Sequence, residues 1–156
     1  MHLYGSVNKA MLEQVIDTLE GIDANEPITV RISSHGGDPD IALAIAGLLE
    51  SHKGIVVTEI YGLCYSAATL IFAVGSKRRM HKYAWAMIHE GSETIEGTAT
   101  TLRHAAKHLE RNEAHWNTIM QERTGTEAKV WEKLNEKDTY LNAEECLKLN
   151  LATEIF

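Results

Sequence analysis

The chain has 156 residues, with 15 Lys and Arg against 22 Asp and Glu, a net charge of −7. This is the length of one domain, and 44% hydrophobic with 24% charged residues can build a core, so disordered and low-complexity classes are excluded. Two Cys cannot form a disulfide framework, and the acidic balance argues against nucleic acid as the main partner, because phosphate recognition needs a basic surface.

The start, Met1-His2-Leu3-Tyr4-Gly5, lacks a basic stretch followed by an apolar one. The longest apolar run, Ser66 to Gly75, falls short of the roughly 18 residues of a membrane span. A soluble cytoplasmic protein without a membrane partner is expected. Leu3 to Val7 reads as a strand. Asn8 caps a helix to about Glu20, with Gly21 as its stop and Met11, Leu12, Val15, Ile16 and Leu19 on one face. Ile28 to Ile32 alternates and is β-branched, hence a strand. Asp38-Pro39 then opens an apolar helix to about Ser51, and Ile55 to Ile60 is the next strand. Arg79–Met80 and Trp85 to His89 read as further short strands. Strands and helices alternating through short connections imply one α/β domain over 1–156 with a largely parallel sheet.

The second half changes character. Thr98 to about Arg123 reads as one long polar helix with Gly125 beyond it. Its apolar stripe (Leu102, Ala106, Leu109, Trp116, Ile119, Met120) is thin. Such a helix spans roughly 39 Å, against a radius of gyration of about 15 Å for a compact chain of this length. It is expected to protrude and meet a second subunit, with Trp116 at the interface. A short helix follows near Glu127 to Leu134, and Asn142-Ala-Glu-Glu145 opens another through a capping box. Asn150 is suited to a left-handed stop after it.

Three loops carry residue types with chemical potential. In Ser33-Ser34-His35-Gly36-Gly37-Asp38 a strand ends in paired glycines, which let a backbone approach a ligand or simply turn tightly. In Gly62-Leu-Cys-Tyr-Ser66-Ala67 a serine opens an apolar helix, either as a cap or as a nucleophile beside oxyanion-stabilising N–H groups. In Met87-Ile-His89-Glu90-Gly91 a strand ends in histidine. Together they supply the parts of amide hydrolysis: Ser66 as nucleophile, His89 as base, and the N–H groups of Gly37 and Ala67 as an oxyanion hole. A carboxylate must orient the imidazole, and composition does not choose among those that follow His89.

These stretches resemble the Clp protease proteolytic subunit, ClpP, and its phage ClpP-like relatives. Ile28-Thr-Val-Arg-Ile-Ser-Ser-His-Gly-Gly37 resembles the family's Ile-Asn-Ser-Pro-Gly-Gly segment. Gly62-Leu-Cys-Tyr-Ser66-Ala-Ala resembles its nucleophile turn, and Met87-Ile-His89 its Met-Ile-His. Asp138-Thr-Tyr-Leu-Asn-Ala-Glu-Glu145 resembles the stretch whose Asp completes the triad, and Leu149 to Ile155 the family's close. The resemblance implies a ClpP/crotonase-like fold of ββα units and selects Asp138 as the orienting carboxylate. It makes the helix at about 98–124 the family's handle, through which heptameric rings stack into a tetradecamer. It implies that Gly36, Asp38, Glu90 and Gly91 bind a peptide or unfolded-protein substrate, and that no cofactor or metal is needed. The expected activity is the ATP-independent core of a self-compartmentalised serine endopeptidase. The alternatives are a weakly active or inactive structural ring component, or a phage capsid-maturation protease acting without a Clp ATPase, in the host cytoplasm.

The chain also departs from the family. It begins almost at its first strand, so the segment that forms axial loops is expected to be missing. Thr29, Arg31 and Glu59 stand where ClpP places the apolar pockets that dock a Clp-type ATPase, which leaves such docking open. His35 replaces a proline, Cys64-Tyr65 replace smaller residues, and Gly91 stands where proline is common. His104 and His108 have a spacing that can bind zinc, but Asn112 one turn on is a poor ligand, so a solvated helix face is expected.

Overall fold

The computed structural model describes residues 1–92 and 94–156. Strand β1 (His2–Val7) leads into helix α1 (Lys9–Glu20), where the Asn8 side chain accepts the Met11 N–H at 3.1 Å and satisfies a donor that the helix itself leaves free. Strand β2 (Ile28–Gly37) is followed by α2 (Pro39–Ser51). Asp38 caps α2, its Oδ1 accepting the N–H groups of Asp40 and Ile41 at 2.9 and 3.2 Å. Strand β3 (Val56–Tyr65), the six-residue helix α3 (Ala68–Ala73), and strands β4 (Lys77–Met80) and β5 (Trp85–Ile88) complete the first half.

Helix α4 (Ala99–Thr124) starts at the Thr98 cap and ends at Gly125, whose φ of 75° is the left-handed stop expected there. Helix α5 (Ala128–Asn135), strand β6 (Thr139–Asn142), helix α6 (Ala143–Lys148) and strand β7 (Glu154–Ile155) follow. The capping box of Asn142 and Glu145 opens α6, and Asn150 takes a left-handed φ of 51° after it. Among the described residues no helix is long and apolar enough to cross a membrane.

The sheet runs β1-β2-β3-β4-β7, all parallel, and β3 pairs with two partners along its length. Its first half, Val57 to Ile60, pairs with β4, and its end, Leu63 to Tyr65, with β5. Strand β6 adds to β5 antiparallel. The core lies between sheet and helices: Ile32, Ile45, Leu49, Ile60, Phe72 and Met80 are all fully buried. This is the mixed α/β architecture, with a parallel sheet covered by helices, that the resemblance implies. Arg78 is buried under the chain's end and donates to the carbonyls of Leu151, Gly75 and Asn150 at 2.9, 3.0 and 2.9 Å. Burial lowers its guanidinium from its ordinary range.

Several local expectations need correction. The glycine pair is not a free turn after β2: Ser6 pairs with Gly36 and Val7 with Gly37, after a register shift between Tyr4 and Ser6. Only glycine follows this path cheaply, since Gly36 has φ 90°. Likewise β3 runs past Gly62 to Tyr65, because β5 pairs with that extension. Trp116, expected at an interface, is half-buried against the chain's own core. Of the stripe before it, Leu102 and Ala106 are exposed and Leu109 is half-buried: α4 fully buries only Asn117, Met120 and Thr124, and Leu102 remains 44% exposed. Finally, Arg31, Glu59, Arg79 and Glu154 stand in register across β2, β3, β4 and β7. Arg31 meets Glu59 at 3.1 Å, Arg79 bonds Glu59, and Arg79 meets Glu154 at 3.1 Å, a charge ladder of alternating sign.

Candidate active site

Two strand pairings assemble the site. Parallel pairing of Tyr65 with Met87 places the end of β3 beside the end of β5, and the Ser66 N–H donates to the Met87 carbonyl at 2.8 Å. Ser66 is therefore held beside Met87, two residues before His89 in the chain, although Ser66 and His89 are 23 apart in sequence. Antiparallel pairing of Ile88 with Thr139 sets Asp138 opposite His89. Ser66 Oγ lies 2.7 Å from His89 Nε2, and His89 Nδ1 lies 3.5 Å from Asp138 Oδ1. The first distance is that of a strong hydrogen bond; the second is longer than an ordinary N–H···O bond. Of the three expected triad positions, the structure brings the first pair into contact and the third to the rim, with the Asp138 side chain 64% exposed.

Ser66 does not cap α3 with its side chain. The hydroxyl faces His89, and the Ser66 carbonyl accepts the Thr69 N–H and Oγ1 at 2.9 and 2.7 Å. Its φ of 53° is a left-handed conformation in a non-glycine residue, the local strain often found where a nucleophile is turned out of its strand. Gly36 abuts this turn. A Cβ at Gly36 would lie 2.8 Å from Ser66 Cβ, 2.7 Å from the Tyr65 carbonyl oxygen and 3.1 Å from the Ala67 nitrogen. Among the described residues the Ala67 N–H donates to no acceptor, so it is free for a ligand. Gly37 pairs with Val7 of β1, where the Val7 carbonyl accepts the Asp38 N–H at 3.0 Å and not the Gly37 N–H.

The expected substrate-binding residues divide. Gly36 borders the Ser66 turn, as above. The Asp38 carboxylate is committed to capping α2. The Glu90 N–H donates to the Asn135 carbonyl at 2.9 Å. The Glu90 side chain faces Glu113 of α4. Partial burial pushes the Glu113 carboxyl up, and the charges of Glu90 and Glu110 push it further. Gly91 is exposed, and among the described residues nothing lies within 4 Å of where its Cβ would be, so none of them requires glycine there. Cys64 is buried, and burial together with Cys146 pushes its thiol well above the ordinary value, so a thiolate beside Ser66 is disfavoured. Sequence reasoning missed Ser34, whose buried Oγ accepts the Gly36 N–H at 3.1 Å. The signal was a serine two residues ahead of a glycine, the spacing of a local hydroxyl-to-backbone turn.

The whole chain, residues 1–156, matches the family model described as Clp protease. It is 34% identical over 158 aligned positions to the ATP-dependent Clp protease proteolytic subunit 2 of Treponema denticola, covering 98% of this chain and 79% of that one. It is 29% identical over 147 positions to the subunit of the same name from Borreliella burgdorferi, covering 93% of this chain and 74% of that one. The matches span both strand pairings that assemble the site, and on them the chain belongs to the Clp protease family, whose members are serine peptidases.

Proposed function

We propose that the chain is the ATP-independent core of a self-compartmentalised serine endopeptidase that cleaves peptides or unfolded proteins. The observation that carries this reading is the 2.7 Å separation of Ser66 Oγ and His89 Nε2. With its Nδ1 proton directed at Asp138, the imidazole accepts the Ser66 hydroxyl proton as the oxygen attacks a peptide carbonyl. The oxyanion that forms is held by the N–H groups of Ala67 and Gly37. The imidazolium passes its proton to the leaving amine, and water activated by His89 then releases the acyl group. Asp138 stabilises the imidazolium and fixes its tautomer.

Compartmentalisation rests on α4. Its exposed half, with Leu102 near its N-terminal end, is offered to a second subunit, in heptameric rings that stack through this handle. Docking of a Clp-type ATPase is not part of the proposal, because charges of Arg31, Glu59 and Arg79 fill the sheet face where apolar pockets were expected. The setting is cytoplasmic, a host cytoplasm if the gene is a phage's, where trimming of capsid proteins is a fitting task. A second reading, a weakly active structural ring, draws on the 3.5 Å gap between His89 and the exposed Asp138.

The test is cleavage of a fluorogenic peptide and of an unfolded protein by wild type and Ser66→Ala. Loss of cleavage in a folded Ser66→Ala supports the peptidase reading. Equal cleavage by both removes Ser66 as the nucleophile, and no cleavage by either favours the structural ring.

A further inference from the structure

Helix α5 ends between the two loops that carry His89 and Asp138. Its last carbonyls have no partner within the helix, as at any helix C-terminus. Two consecutive ones are taken by residues next to the site. The Leu134 carbonyl accepts the Thr139 hydroxyl at 2.8 Å, and the Asn135 carbonyl accepts the Glu90 N–H at 2.9 Å. Thr139 follows Asp138, and Glu90 follows His89. The end of α5 therefore acts as a ruler between them.

That end is itself held by one buried contact. Asn135 Nδ2 donates to Asn117 Oδ1 on α4 at 2.8 Å, and both residues are only 8% exposed. Asn135 Oδ1 is buried with no partner among the described residues. A buried amide left half-satisfied is costly, and leucine at both positions would pack without that cost. Hydrogen-bond direction is what leucine cannot supply, because it fixes one rotation of the α5 end against α4.

We propose that Asn117 and Asn135 are positioning residues for the triad: their side-chain bond fixes the end of α5, and through the Leu134 and Asn135 carbonyls it sets the separation of His89 and Asp138. The proposal rests on the reading of Ser66, His89 and Asp138 as a catalytic triad. Neither asparagine touches the substrate.

The experiment is a double-mutant cycle on the full chain, with Asn117→Ala and Asp138→Asn measured singly and together for peptide kcat and KM. Asn117→Ala is expected to lower kcat about 10- to 100-fold, the scale of a misplacement near 1 Å, with KM unchanged. In the Asp138→Asn background the same substitution is expected to change kcat less than about twofold, since the distance it guards no longer matters. Asn117→Ser, which keeps an acceptor oxygen, is expected to recover part of the loss; it carries the test if Asn117→Ala does not fold. Equal losses in both backgrounds, or a raised KM with kcat intact, would overturn the proposal. Failure of Asp138→Asn itself to lower kcat would instead overturn the triad reading.

Discussion

Gly36→Ala perturbs the site at its tightest point. The added Cβ meets Ser66 Cβ at 2.8 Å, the Tyr65 carbonyl oxygen at 2.7 Å and the Ala67 nitrogen at 3.1 Å, and two of these are backbone atoms that cannot rotate away. The φ of 90° adds strain for any residue with a Cβ, of order 1–3 kcal/mol. Overpacking a close contact adds a similar amount, about 1–3 kcal/mol. Together they amount to about 4 kcal/mol, a large part of the roughly 5–15 kcal/mol that holds a domain folded. For a chain of this size that lowers Tm by roughly 8–16 °C. The clash is relieved by pushing the Ser66 turn away from β2, which moves Oγ relative to His89. A shift near 1 Å lowers the acylation rate about 100-fold. The assay is the rate of fluorophosphonate acylation beside a thermal melt, with Gly91→Ala as the matched control, because among the described residues nothing lies within 4 Å of its Cβ position. A Gly36→Ala protein that acylates and melts like wild type would refute the packing argument.

Other outcomes follow from the same geometry. Leu102→Asp, on the exposed half of α4, should lower the assembly mass in light scattering while leaving the circular dichroism spectrum unchanged; an unchanged mass would contradict the interface role of α4. Glu113→Gln should raise Tm near neutral pH. A carboxyl whose folded pKa is raised destabilises the fold while ionised and ceases to do so as pH falls through the raised value, so the gain should shrink in acid. A gain that grows in acid would reverse the argument. Arg78→Met removes three bonds to carbonyls, two of them buried, and should cost about 3 kcal/mol or more, read by urea denaturation; a neutral result would mean that water takes its place.

Much of this fold is written in local signals. The caps at Asn8, Asp38, Thr98 and Asn142, and the stops at Gly125 and Asn150, involve residues within a few positions of each other, so a linear reading finds them. Strands β6 and β7, four and two residues long, exist only by pairing with β5 and β4, and their own sequences do not announce it. The same holds for the far ends of β2 and β3, which stay extended because β1 and β5 lie beside them. In the site, Ser66 and His89 stood out because one opens an apolar helix and the other ends an apolar strand. Asp138 did not: its role depends on the pairing of Ile88 with Thr139, and without the family resemblance it was one acid among many. Asn117 lies in a mostly polar helix, and nothing but its contact with Asn135 marks it.

The central claim is that Ser66 is an activated nucleophile. Intact-mass analysis after fluorophosphonate treatment, followed by peptide mapping, tests it most directly. The account predicts one adduct per chain on wild type, mapped to Ser66, and none on Ser66→Ala. An adduct on both proteins, or none on folded wild type, would contradict it.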